Sequence, residues 1–177
     1  MRLSIGLLAI LAITSSPAAA DPVGLAQLSV PAPHRPRDVE AVIWYPATPG
    51  APAAIWGENP VFEGNSVIRD APATGRDRPV ALLSHGLGGN LRDMGWLAHG
   101  LAMQGAVVVA VNHPGSTTGD LDPARGLDHG TRAVDLKAAL DALAADERFG
   151  RHLDMGVLTA AGFSLGRWTA LSLAGPR

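Results

Sequence analysis

Met155-Gly156-Val157-Leu158-Thr159-Ala160-Ala161-Gly162-Phe163-Ser164-Leu165-Gly166-Arg167-Trp168 decides the architecture of this chain. Its first half is a short apolar run, the signature of a strand buried in a sheet. Its second half opens the apolar-periodic segment Leu165 to Ala174, which predicts a helix. The two meet at Gly162-Phe163-Ser164-Leu165-Gly166 with no room for a loop. A serine at so tight a strand-to-helix turn takes a strained backbone conformation. Side chains two positions to either side would crowd the strand against the helix, which is the reason for both glycines.

The same alternation extends toward the N-terminus. Pro79 to Ser84 is a continuous apolar run and predicts another buried strand. Asn90 is suited to cap the segment that follows. Leu91, Met94, Leu97, Ala98, Leu101 and Ala102 recur at three- and four-residue spacing, and Gly105 is placed to stop that helix. Ala106 to Val111 predicts the next strand. His113 opens a polar loop to about Gly130, and Ala133, Leu136, Leu140 and Leu143 mark a further helix. Strand, helix, strand, helix, strand, helix implies a largely parallel sheet covered on both faces, a three-layer αβα sandwich. Upstream, Val23 to Val30 and Val39 to Tyr45 predict two strands joined by the turn at Pro31 to Pro36. Ala47 to Arg78 is rich in Pro, Gly and Ala, weakly patterned, and reads as a surface excursion.

With 177 residues, the chain fits one domain with a real core. Apolar residues make up 47% and charged residues 17%, which argues against disorder. The net charge of -2 offers no electrostatic case for nucleic acid or anionic lipid. Cysteine is absent, which excludes disulfides, thiolate metal sites and a Cys nucleophile. Residues 1–20 read as a secretory signal peptide: Arg2 as the positive start, Leu3 to Ile13 as the apolar stretch, Ala18-Ala19-Ala20 as the cleavage site. An uncleaved anchor is the alternative. Residues 21–177 then form the folded part, with a periplasmic or secreted location and no membrane association after cleavage.

The chemistry begins with Ser164. G-x-S-x-G between strand and helix is the pattern that exposes a serine hydroxyl for nucleophilic attack on an acyl carbon. A second element, Ser84-His85-Gly86-Leu87-Gly88-Gly89, follows the earlier buried strand. Small residues there let backbone N–H groups approach a substrate, and Leu87 and Leu165 are the candidate oxyanion donors. A phosphate cradle is disfavoured because no Lys-Ser/Thr completes a P-loop.

Together with Trp44-Tyr45-Pro46 and Val109-Ala110-Val111-Asn112-His113-Pro114-Gly115-Ser116, these motifs resemble the dienelactone-hydrolase-like and platelet-activating-factor-acetylhydrolase-like branch of the α/β hydrolases, over about Val39 to Ala174. The resemblance implies an eight-stranded, mostly parallel sheet, hydrolysis of a small ester or other acyl substrate through an acyl-enzyme, and no metal or organic cofactor. It assigns Ser164 as nucleophile and Leu87 and Leu165 as oxyanion donors, with His85, Gly86, Gly88, Gly162, Gly166 and His113 as site scaffold.

The chain departs from the family in three places. Phe163 stands where the branch often has His, and Arg167 where a small residue is usual. The acid and the histidine that follow the later strands have no counterpart after Ser164, so the expectation is a truncated α/β-hydrolase fold, the N-terminal part of an esterase, with low or no activity. Among the histidines present, His113 is the best candidate for a substitute base. His99 reads as lying on the polar side of a helix, His34 and His152 as loop or surface residues, and Asp135, Asp146 and Glu147 as helix-surface charges. Asp120, Asp122, Asp128 and His129 read as a solvated loop. The last strand, left without its family partner, would expose an apolar sheet edge open to self-association. The rival reading is a non-catalytic pseudo-hydrolase that binds a ligand or another chain.

Overall fold

The computed structural model describes residues 21–175, so the segment read as a signal peptide lies outside the described residues. Nine strands and four α-helices follow in order: β1 (Val23–Val30), β2 (Val39–Pro46), β3 (Ala54–Trp56), β4 (Asn65–Arg69), β5 (Arg78–Ser84), α1 (Gly95–Met103), β6 (Val107–Asn112), β7 (Ser116–Thr117), β8 (Asp120–Leu121), α2 (Pro123–Gly126), α3 (His129–Ala145), β9 (Leu153–Gly162) and α4 (Leu165–Leu173). Seven strands form one sheet in the order β3-β4-β1-β2-β6-β5-β9. Strands β6, β5 and β9 are parallel, as are β1 and β4, whereas β2 runs against both of its neighbours and β3 against β4. All but β2 and β3 therefore point one way, and the sheet is mostly parallel, as the strand–helix alternation implies.

Strict side-chain alternation splits the core into two layers. Val80 and Leu82 of β5 and Val107, Val109 and Val111 of β6 pack with Leu136, Ala139, Leu140 and Leu143 of α3. Ala81 and Leu83, with Val108 and Ala110, face the opposite side and pack with Ala98 and Ala102 of α1. α4 lies on the α3 side, against α3, β5 and β9. The ends obey local rules. Asn90 accepts from Arg92 N–H at 2.9 Å while Asp93 accepts from Asn90 N–H at 2.9 Å, a reciprocal cap on the 3₁₀ turn Leu91–Met94 that leads into α1. Gly105, just past α1, has φ +96°, a conformation that a Cβ would strain. Asp128 caps α3 through Thr131 N–H, and Asp122 caps α2 through Ala124 N–H, which accounts for two of the acidic residues in that loop.

Two segments differ from the sequence reading. Ala47 to Arg78 contributes β3 and β4 to the sheet, and Trp56 buries itself edge-on against Trp44 with centroids 5.1 Å apart. These strands are short, three and five residues, and carry no apolar alternation that would stand out among Pro and Gly. The loop after His113 contains the hairpin β7–β8 and the single turn α2.

β9 forms the sheet edge beyond β5. Met155, Val157 and Leu158 on it are about half exposed, and a groove of about 730 Å³ runs between β9, α3 and α4. The apolar edge expected from the sequence is thus present in the described residues.

Candidate active site

β9 ends and α4 begins at Ser164, which has φ 52° and ψ −117°. That pair lies outside the regions open to ordinary L-residues and costs about 1–3 kcal/mol. Ser164 is solvent-exposed, and its hydroxyl does not cap α4, so Oγ stands free at the positive end of the helix. The turn depends on both glycines. A Cβ on Gly162 would overlap the Gly166 carbonyl and come within 2.8 Å of Arg167 N. A Cβ on Gly166 would overlap the Ser84 carbonyl and reach 2.8 Å from His85 O. Phe163 N–H donates to Ser84 O at 3.1 Å, which ties the turn to the end of β5.

The loop after β5 reaches the serine. A Cβ placed on Gly86 would sit 3.3 Å from Ser164 Cβ and 3.3 Å from Phe163 Cδ1. The Gly86–Leu87 peptide is held in one orientation, because Gly86 O accepts from His85 Nδ1 at 2.6 Å and from Gly89 N–H at 3.2 Å. In a trans-planar peptide the N–H points opposite to the carbonyl, so Leu87 N–H faces away from both donors. Gly88, at φ +71°, donates to Ser116 O at 2.9 Å and locks the loop to β7. Among the described residues, neither Leu87 N–H nor Leu165 N–H has a hydrogen-bond acceptor. Gly86 thus brings the loop that carries Leu87 into contact with Ser164 and Phe163, and Leu165 follows Ser164 in the chain. Arg167 is exposed and does not crowd the turn.

Beneath this rim lies a buried polar network. His113, fully buried, directs Nδ1 at Asp135 Oδ2 (2.7 Å) and Nε2 at Ser84 Oγ (2.9 Å). Asp135 also accepts from Arg35 (2.6 and 2.8 Å) and from His34 (2.8 Å). Arg132, also fully buried, donates to Ser84 Oγ, His85 O, Ser116 Oγ and Thr169 Oγ1. Burial lowers the His113 pKa to about 3 despite the Asp135 hydrogen bond, which raises it. Burial would raise Asp135, yet the hydrogen bonds from His113 and Arg35 outweigh it and hold the carboxyl at about 2. Aspartate and neutral imidazole fix the proton positions. Nδ1–H of His113 donates to Asp135, and the Ser84 hydroxyl donates to Nε2.

Three expectations need correction. Asp135 is not a surface charge: it faces inward from α3 and is fully buried. His113 is not a free base, because both ring nitrogens are engaged below the rim. His152 is not a plain surface residue either: it is buried with Nδ1 2.5 Å from Gly75 O. His34 stands on an exposed turn, as read, and its ring reaches Asp135. Arg132 and Ser84 received no role from sequence. The available signal was that Arg132, Asp135, Leu136, Ala139, Leu140 and Leu143 share one stripe of α3, so two charges sit among apolar neighbours.

The network predicts acid sensitivity. Burial also lowers the His85 pKa, to about 4. Both groups titrate in the unfolded chain near 6.5 but resist protonation in the fold. Their contribution is fully present above about pH 6.5 and is lost as pH falls toward 4 and 3. Urea unfolding at pH 7 and pH 5 should differ by on the order of 2 kcal/mol for each histidine. His113→Gln and His85→Gln should each flatten that dependence, whatever their stability at pH 7.

No family model matches the chain, and no curated protein matches it. Solved structures do. A ferulic acid esterase from Streptomyces cinnamoneus superposes with a TM-score of 0.74 at 24% identity, over 90% of this chain and 57% of that one. A puromycin-hydrolysing peptidase of Mycobacterium tuberculosis superposes with a TM-score of 0.55 at 23% identity, over 83% of this chain and 20% of that one. The chain spans little more than half the length of the esterase. With the strand order β1-β2-β6-β5-β9 and a serine held at positive φ between β9 and α4, these likenesses show that the chain has the α/β-hydrolase fold.

Proposed function

We propose that the chain carries the nucleophile half of a serine-dependent carboxylic ester hydrolase. What supports this reading is Ser164 at φ 52°, exposed at the start of α4, against which the Leu87 loop packs through Gly86 while the Leu87 and Leu165 amides stay unengaged. Ser164 Oγ attacks the ester carbonyl carbon, the carbonyl π electrons move to oxygen, and the two N–H groups receive the resulting oxyanion. Collapse of the tetrahedral intermediate breaks the bond to the leaving oxygen, which departs as the alcohol after the serine proton reaches it through solvent water, and Ser164 is left acylated. The serine proton needs a base, and neither His85 nor His113 presents a free nitrogen to it. Turnover by this chain is therefore expected to be very low, because loss of a relay member costs orders of magnitude while the oxyanion site retains a residue of activity.

A fluorophosphonate probe and a short-chain p-nitrophenyl ester test the reading. Slow covalent labelling and slow ester cleavage are expected, both abolished in Ser164→Ala. A protein that the probe leaves untouched would be the binding-only alternative.

The reading extends to export through residues 1–20 to the periplasm or exterior, with a small ester or other acyl compound as substrate and no metal or cofactor. It also extends to self-association through the apolar β9 edge. Val157→Lys should shift sedimentation toward the monomer, since charge on an edge strand blocks strand pairing.

A further inference from the structure

Arg132 is a cation with no exposed surface, and no carboxylate lies within salt-bridge distance of it among the described residues. Burying a guanidinium on neutral acceptors is costly unless its N–H groups find oxygens. Nη1 donates to Ser116 Oγ of β7, and the other acceptors fall into two groups. Nη2 donates to His85 O and, at 3.1 Å, to Ser84 Oγ, at the root of the loop that carries Leu87. Nε donates at 3.0 Å to Thr169 Oγ1, and that hydroxyl in turn reaches Leu165 O at 3.3 Å. One planar group thus joins the segment before Leu87 to the helix turn that starts at Leu165. Asp135 and His113 complete the device. They orient the Ser84 hydroxyl toward His113 Nε2, which leaves its lone pairs facing Arg132.

Resting on the hydrolase reading of the site, we propose that Arg132 is a positioning residue that sets the separation of the Leu87 and Leu165 amides by clasping the loop after β5 to α4. The fork geometry is what makes this possible. A lysine ammonium keeps the charge but cannot span both groups of acceptors in fixed directions.

Thr169→Val opens one end of the clasp at nearly constant volume, and Arg132→Lys tests the fork. The two variants and the wild type are compared at a temperature where circular dichroism shows all folded, with two readouts. The first is amide exchange by mass spectrometry over residues 84–90 and 162–169. Thr169→Val should accelerate exchange in both segments by about tenfold, the equivalent of one charge-assisted hydrogen bond. The second is fluorophosphonate labelling of Ser164. The maximal labelling rate should fall by about tenfold with the probe's saturation constant unchanged, since a displaced donor weakens the transition state and not the encounter. Arg132→Lys should show both losses as well, faster exchange in the two segments and slower labelling. If Thr169→Val alters exchange only in 162–169, or if Arg132→Lys behaves as wild type, the clasp is refuted. A wild type that shows the coupled exchange but never labels refutes the hydrolase reading and leaves the clasp standing.

Discussion

Gly166→Ala should lose at least about 3 kcal/mol of folding stability, the upper end of the cost of overpacking. The reason is what the new methyl group would meet. Its neighbours are the Ser84 carbonyl and His85 O, backbone atoms at the end of β5 that cannot swing aside as a side chain can. Relief requires moving α4 away from the sheet. That breaks the Phe163 N–H bond to Ser84 O and the Arg132 contact with Thr169 together. Gly162→Ala should behave similarly, because its methyl group would overlap the Gly166 carbonyl. Gly100→Ala is the control. It lies on the exposed side of α1 with nothing within 4 Å, and it should stabilise by about 1 kcal/mol through helix propensity. Urea midpoints of the three variants decide the matter; a Gly166→Ala protein as stable as wild type would mean that the turn is looser than described.

Asp135→Ala should cost about 3–5 kcal/mol, because it leaves buried charge without its partner. The Arg35 guanidinium, the His113 Nδ1–H and the His34 ring all direct donors at this carboxylate. Asp135→Asn should cost less but still destabilise, since one amide oxygen cannot accept from every donor and the NH₂ group faces another N–H. The pH dependence carries an independent sign. The Asp135 carboxyl is held at about 2, below its ordinary value, so its contribution is complete above about pH 4 and disappears as pH falls through 2. Either variant should lack that step between pH 4 and 2. An Asp135→Ala protein with wild-type stability would show that the network is not bearing on the fold.

The two kinds of residue differ in how legible they are. Strands β5 and β6 and helices α1, α3 and α4 are readable because each side of the sheet is apolar there, and continuous Val and Leu runs are what two-sided burial demands; β9 carries the same kind of run but lies largely exposed at the sheet edge. The serine turn was readable because steric exclusion by backbone leaves only glycine at two fixed positions. The buried polar network was not. A charge on a helix is ordinarily solvated, and the partners of Asp135 come from Arg35 and from His113, distant in the chain. Nothing local distinguishes it from Asp141, which pairs with Lys137 on the exposed face of the same helix. Only the stripe shared with Leu136 and Ala139 hints at the difference. β3 and β4 were missed for the opposite reason. They are only three and five residues long, and their buried positions, Trp56 and the adjacent Val67 and Ile68, show no alternation that could rise above the Pro and Gly around them.

The positive φ at Ser164 sets two selective demands against each other at a single codon. Glycine would relax that backbone, so thermal robustness alone favours discarding the hydroxyl. On the proposed reading, the residue best suited to the shape is therefore not the one that supplies the nucleophile.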